Sequence, residues 1–293
     1  MNKYTILNNK RRKKRKKRME RRLKLLNNNF LKDPLRDTDP KIVVDKSYNV
    51  KNKSVDFREF CSEIKNQQTL GSCSVFSVLA AYEYNTDNKF SELYLFYKAR
   101  TTSQWFGGKG RKKDNVSGIN IRCVLIILNR LGCCLDELWK YKKDLVLKTP
   151  PEDVCASAIK WRLSGFGRLD TKNLSRTILL NNMKAILEMK IPIIGGFKMP
   201  LNIRSEKTSK SGIVDYVSIS KYGHSVMFVG FIDDMINKDQ HGHLIFKNSW
   251  GDKWGDNGYG YLPYNYILNN KCFDLWILEN ESLIENPHVN IIS

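Results

Sequence analysis

Apolar positions along the chain fall into two textures. Between Cys73 and Tyr84 they recur at 75, 76, 79, 80 and 82, a spacing that predicts a buried helix led in by the Gly71-Ser72 turn. After Gly118, "INIRCVLIILNRLG" predicts a second helix that stops at Gly132, and "MKAILEMKIPIIGGF" predicts a helix followed by a strand. From residue 224 the pattern changes. "HSVMFVGF", "HLIFKNSW" and "YGYLPYNYI" are short continuous or alternating apolar runs broken by Gly and Asp, as strands are. The N-terminal half therefore reads as helical and the C-terminal half as β-rich, without internal repeats, so the expected fold class is α+β. Upstream, Leu23, Leu26 and Phe30 share a helical spacing that predicts a short amphipathic helix, and Asp33-Pro34 and Asp39-Pro40 read as linker. The expected organisation is an N-terminal arm over residues 1–53, a globular body over 54–280 and a tail over 281–293.

Charge changes the picture of the arm. The 293 residues carry a net charge of +20, and residues 1–50 alone hold 17 Lys/Arg against 5 Asp/Glu. Lys10, Arg11, Arg12, Lys13, Lys14, Arg15, Lys16, Lys17 and Arg18 are consecutive, and their repulsion keeps such a stretch solvated until it meets an anion. A nucleic acid or nucleotide partner is the sharper expectation for this cluster, and a solubility tail the plainer one. No run approaches the roughly 18 apolar residues of a membrane span. Seven cysteines, an odd number, and an N-terminus without an apolar signal core favour a reducing, intracellular compartment. No C-x-x-C pair and no G-K-[ST] loop is present, so no metal and no cofactor is expected.

Candidate chemistry centres on Cys73. A thiol attacks carbonyls as thiolate, and a helix N-terminus together with an imidazolium lowers its pKa. Cys73 opens its helix, and of the four histidines only His224 starts an apolar strand directly after a glycine, whereas His241, His243 and His288 lie in polar turns or the tail. Asn248 in "KNSWGDKWGDNGYGYLP" can accept from the imidazole without adding a full negative charge, and the indole of Trp250 can cover that bond. Gln67, six residues before Cys73, can supply an oxyanion donor beside the Cys73 backbone N–H. Taken singly, each has a plainer explanation: a cysteine on an apolar helix is more often a core thiol. In this order and spacing, chance does not account for them together.

These residues resemble the papain-like cysteine peptidases, from "SVDFREFCSEIKNQQTLGSC" through "GHSVMFVGF" and "KNSWGDKWGDNGYGYLPYNYI" to "CFDLWILE". The resemblance implies a helical half and a β-barrel-like half with a cleft between them, and peptide-bond hydrolysis through an acyl-thioester. Cys73 would be nucleophile, His224 general acid/base, Asn248 its orienter and Gln67 the oxyanion donor. Gly118 would pair with extended peptide or protein substrate, beside Trp250. Two positions depart from the family pattern Cys-Gly-Ser/Ala-Cys-Trp/Tyr: Leu70 replaces the first cysteine, removing a family disulfide, and Ser74 replaces the aromatic, opening the wall beside the thiol. Separations of 151 residues from Cys73 to His224 and 175 to Asn248 exceed the usual range of roughly 130–150, so inserted loops are implied, one of them at 105–115. By the same resemblance residues 1–53 would act as a short propeptide. The alternative is an inactive relative that works as a polyanion-binding protein.

Overall fold

The computed structural model describes residues 32–102, 118–237 and 240–292. The basic run Lys10–Arg18, the 23/26/30 helix and the loop at 105–115 lie outside these residues. The first strands are β1 (Lys41–Val44) and β2 (Ser54–Asp56), followed by helices α1 (Cys73–Thr86), α2 (Glu92–Thr102), α3 (Ile121–Leu131) and α4 (Glu152–Ala158). Then come β3 (Phe166–Arg168), α5 (Arg176–Glu188), β4 (Ile193–Pro200), α6 (Glu206–Ser211), β5 (Ile219–Asn237) and β6 (Gln240–Lys247). β7 (Tyr259–Pro263), α7 (Asn265–Leu268), β8 (Cys272–Leu278), α8 (Glu281–Ile284) and β9 (Val289–Ile292) complete the chain.

α1 is buried nearly all round, with Val75, Val78 and Leu79 fully covered, because it packs against β4 and β5 and also against α2 and α3. That is why its apolar positions are too dense for a surface helix. α3 ends at Gly132, whose φ of +75° suits glycine, and a Cβ there would lie 1.9 Å from the Ala158 carbonyl oxygen. The expected α+β class holds. The strands, however, form one open path, β7-β6-β5-β4-β8-β3-β1-β9, with β2 added on β5, rather than a closed barrel.

That sheet reaches past residues 54 and 280 at both ends. β1, in the range expected to be arm and linker, pairs parallel with β3 and antiparallel with β9, which lies in the range expected to be tail. The physical anchor is a buried ion cluster. Asp33 and Asp39 both pair with Arg122 of α3, while Arg168 of β3 bonds Asp170 at 2.9 Å and Asp274 of β8 at 2.6 Å. Both guanidinium groups lie against the Trp276 ring, at 5.0 and 5.1 Å from its centroid. Downstream, the Glu188 carboxylate accepts from the backbone N–H groups of Lys51 and Asn52 and from the Tyr48 hydroxyl at 2.7–3.2 Å. The seven cysteines are all unpaired, including the neighbours Cys133 and Cys134.

Candidate active site

Cys73 is the first residue of α1, and the backbone N–H groups of Cys73, Ser74 and Ser225 point at its sulfur. Ser225 follows His224 on β5, so the sulfur faces the strand that carries the imidazole. A second contact holds helix and strand together at this level: the Ser77 and Ser225 hydroxyls are 2.7 Å apart.

The imidazole is fixed by one bond that also decides its tautomer. His224 Nε2 lies 2.8 Å from Asn248 Oδ1. The Ser249 backbone N–H donates to that same oxygen at 2.8 Å, which orients the carboxamide with its oxygen toward the ring. An amide oxygen only accepts, so Nε2 carries the proton and Nδ1 keeps its lone pair. Among the described residues Nδ1 has no hydrogen-bond partner. Trp250 stacks on the imidazole with ring centroids 4.5 Å apart, and Trp254 meets Trp250 edge-on at 5.2 Å.

Gln67 is fully buried and tied at three points. Its backbone N–H donates to the Ser249 carbonyl at 2.8 Å, its Oε1 accepts from the Ser249 hydroxyl at 2.6 Å, and its Nε2 donates to the Leu70 carbonyl at 2.8 Å. The Tyr141 hydroxyl adds a bond to the Gln67 carbonyl at 3.0 Å and one to Ser72 at 3.0 Å. Gln67, Cys73, His224, Asn248 and Trp250, from three stretches of the sequence, are thereby gathered at the seam between α1 and the sheet. Gly118 is buried just before Asn120, the N-cap of α3, and its substrate role stays with the resemblance.

The electrostatics differ from expectation. Cys73 and His224 are each 1% exposed. Burial pushes the Cys73 thiol up to about 11 against the pull of the three N–H groups. Burial likewise brings His224 down to about 4, with the Asn248 bond raising it and the charge of Arg204 lowering it further. Both shifts disfavour the charged forms in this arrangement, because burial desolvates a thiolate and an imidazolium alike. Trp250 is 8% exposed and stacks on His224, and its substrate role, like that of Gly118, stays with the resemblance.

Sequence reasoning missed two groups. Beneath the site, Lys65 Nζ bonds Glu83 of α1 at 2.5 Å and Glu92 of α2 at 2.6 Å. Lys247, at the end of β6 beside Asn248, bonds Ser62, whose hydroxyl donates to Glu83 at 2.8 Å. Burial raises Glu92 to about 7 and lowers Lys247 to about 8. This network braces the helix that carries Cys73 against the strand that leads to Asn248. The other group is Arg204, whose guanidinium carbon sits 4.1 Å from the Trp250 ring centroid. Its polar loop carries no periodicity that could have singled it out.

Comparison with known proteins identifies the family and the fold. The papain family cysteine protease profile matches residues 148–273. An uncharacterised peptidase C1-like protein of Acanthamoeba polyphaga mimivirus is 30% identical over 250 residues, covering 81% of this chain and 75% of that protein. Human cathepsin L2 is 26% identical over 229 residues, 75% of this chain but 62% of its own length. Among solved structures, xylellain, a cysteine protease from Xylella fastidiosa, superposes with a TM-score of 0.71 at 21% identity, covering 86% of this chain and 95% of that one. A digestive procathepsin L 3 of Tenebrio molitor gives a TM-score of 0.63 at 21% identity over 89% and 79% of the two chains. The chain belongs to the papain family of cysteine peptidases.

Proposed function

We propose that Cys73, His224 and Asn248 hydrolyse peptide bonds through an acyl-thioester on Cys73. The observation that carries this reading is the bond from His224 Nε2 to Asn248 Oδ1 at 2.8 Å, which leaves Nδ1 as the base. When the cleft opens to substrate and water, relieved desolvation lets Nδ1 take the thiol proton. The thiolate adds to the carbonyl, and the Cys73 N–H with the Gln67 carboxamide stabilises the tetrahedral oxygen. The imidazolium then protonates the leaving amine, which departs, and the neutral imidazole so regenerated takes a proton from the water that hydrolyses the thioester. The seven unpaired cysteines are in keeping with a reducing compartment as the place of action.

The N-terminal arm is proposed as a regulatory, polyanion-binding addition. Twelve basic residues within 10–24, against Glu20 alone, are a charge density well beyond what solubility asks for.

The test is turnover of internally quenched peptides under reducing conditions. Cys73→Ala and Cys73→Ser are expected to abolish hydrolysis and labelling by a thiol-alkylating peptide probe while keeping the melting temperature within a few degrees. Wild-type turnover in either variant would refute the mechanism.

A further inference from the structure

We propose that Lys198, Lys221 and Lys271 form a cationic rim beside the catalytic pair that selects acidic peptides, those with a Glu or Asp side chain within about three residues of the scissile bond. The rim rests on the peptidase reading above, which brings substrate to Cys73 and His224. The three lysines are far apart in sequence and come together by strand register. Phe197 of β4 pairs with His224 of β5 on one side and with Cys272 of β8 on the other. One residue further along, Lys198 pairs with Gly223, and its backbone N–H donates to the Lys271 carbonyl at 2.8 Å. Lys221 lies on β5, two residues before Gly223.

Alternation along the strands puts all three on one face. Phe197 and His224 meet edge-on in the interior with ring centroids 6.0 Å apart, so Lys198 takes the opposite face, and Gly223 beside it carries no side chain to cover it. Lys221 and Gly223 share their face with Ser225, whose hydroxyl meets that of Ser77 on α1 at 2.7 Å. Lys271, one residue before Cys272, has the same parity. The rim therefore continues the face that α1 packs against. Lys221 is exposed, with Nζ 5.5 Å from the centroid of the Tyr222 ring. Lys198 and Lys271 are half-buried, an exposure at which lysine stems are covered and their ammonium heads reach water.

These charges are unopposed. None of the three lysines forms an ion pair among the described residues. The stretches 193–205, 216–232 and 259–273 contain no Asp or Glu. Of the acids bordering them, Glu206 is paired with Lys210 at 2.9 Å, Asp233 with Lys184 at 2.7 Å and Asp274 with Arg168 at 2.6 Å. Asp215 is buried and accepts from Asn202 at 3.0 Å and Asn237 at 3.2 Å. Like charges gathered at a cleft edge attract a carboxylate within roughly a Debye length, about 10 Å at 0.1 M salt. Nucleic acid affinity is built from many phosphate contacts, which three lysines do not supply, whereas a peptide already seated in the cleft gains from a single one.

The test uses the full chain and peptides capped at both ends. They share one core sequence and carry a single Glu, Gln or Lys at each of the first three positions on either side of the scissile bond. At low ionic strength the best position is expected to favour Glu over Gln by about two- to fivefold in kcat/KM, through KM, and to disfavour Lys. Salt at about 0.5 M should bring these ratios close to one. Lys198→Gln, Lys221→Gln and Lys271→Gln combined should remove the preference, and each alone should remove part of it. Lys46→Gln, next to β1 near the other end of the sheet path, should leave it intact. Binding of the same peptides to Cys73→Ala, read by fluorescence anisotropy, gives the Glu/Gln ratio without turnover. Failure of the wild type to cleave any peptide would therefore refute the mechanism, while the binding ratio still decides on the rim. Equal values for Glu, Gln and Lys at every position in both measurements, or a preference that survives the triple variant, would overturn the rim. Oligonucleotide affinity lost in the triple variant without any peptide preference would assign the lysines to nucleic acid and overturn it likewise.

Discussion

At the residue scale, the site depends on which nitrogen of His224 is free. Asn248 holds Nε2 at 2.8 Å through an oxygen that also accepts from the Ser249 N–H, so the tautomer survives small motions of the ring. Asn248→Ala removes the acceptor but leaves Trp250 stacked on the imidazole, so some correctly oriented ring persists. His224→Ala removes the base altogether. The expected losses in kcat are roughly tenfold for Asn248→Ala, about one net hydrogen bond, and about a hundredfold to ten-thousandfold for His224→Ala. Steady-state kinetics on one peptide measures both, and equal losses would mean that Asn248 does more than orient.

At the element scale, the walls of the cleft are held by charge as well as by packing. Glu83 on α1, Glu92 on α2, Lys65 before α1 and Lys247 on β6 share one buried network. Glu92 is raised from 4.5 to about 7, chiefly by burial, with Glu83 adding and Lys65 opposing. A raised folded-state pKa means that the folded chain binds this proton more tightly than the unfolded chain. Its contribution to stability is therefore fully present below about pH 4.5 and lost as pH rises through about 7. Glutamine cannot ionise, so the melting temperature of wild type minus that of Glu92→Gln should decrease between pH 5 and pH 8. A difference that stays constant with pH would show that Glu92 does not titrate in that window.

At the scale of the whole molecule, the sheet takes in segments near both ends of the described residues, Lys41–Val44 and Val289–Ile292. β1 is stitched to β3 and β9, and Asp33 and Asp39 neutralise Arg122 in the interior. A chain beginning at Ser54 would leave buried guanidinium groups short of their partners, a loss of about 3–5 kcal/mol for each broken pair. Removal of residues 1–53 is therefore expected to cost stability, whereas a cut before Asp33 leaves both pairs with Arg122 intact. A chain of residues 32–293 should melt within a few degrees of the full chain, whereas residues 54–293 should melt far lower or fail to fold. Asp39→Asn in the full chain gives the same signal without truncation, as a lowered melting temperature. Oligonucleotide binding should be confined to the chain that keeps residues 10–24, with a log–log salt slope of about −0.9 for each phosphate contacted. Binding that persists in the 32–293 chain would place the polyanion site elsewhere.

Several features were legible in sequence because their signals are local. α1 and α3 announce themselves by apolar spacing and by Gly132, and Cys73 stands at a helix start as expected, whereas His224, expected to open a strand, lies inside β5 because pairing with β4 extends upstream to Ile219. Other features came only from tertiary structure because they depend on distant partners. β1 and β9 are four residues each, too short to show a period, and become strands by pairing with each other. Lys65, Glu83, Glu92 and Lys247 look like ordinary charged positions until folding buries them together. The proton affinities of Cys73 and His224 belong here as well: sequence supplied a thiol and an imidazole, but the upward shift of one and the downward shift of the other follow from desolvation, which only the packed molecule sets. Arg204 joins the site for the same reason, through an indole 46 residues away in the chain.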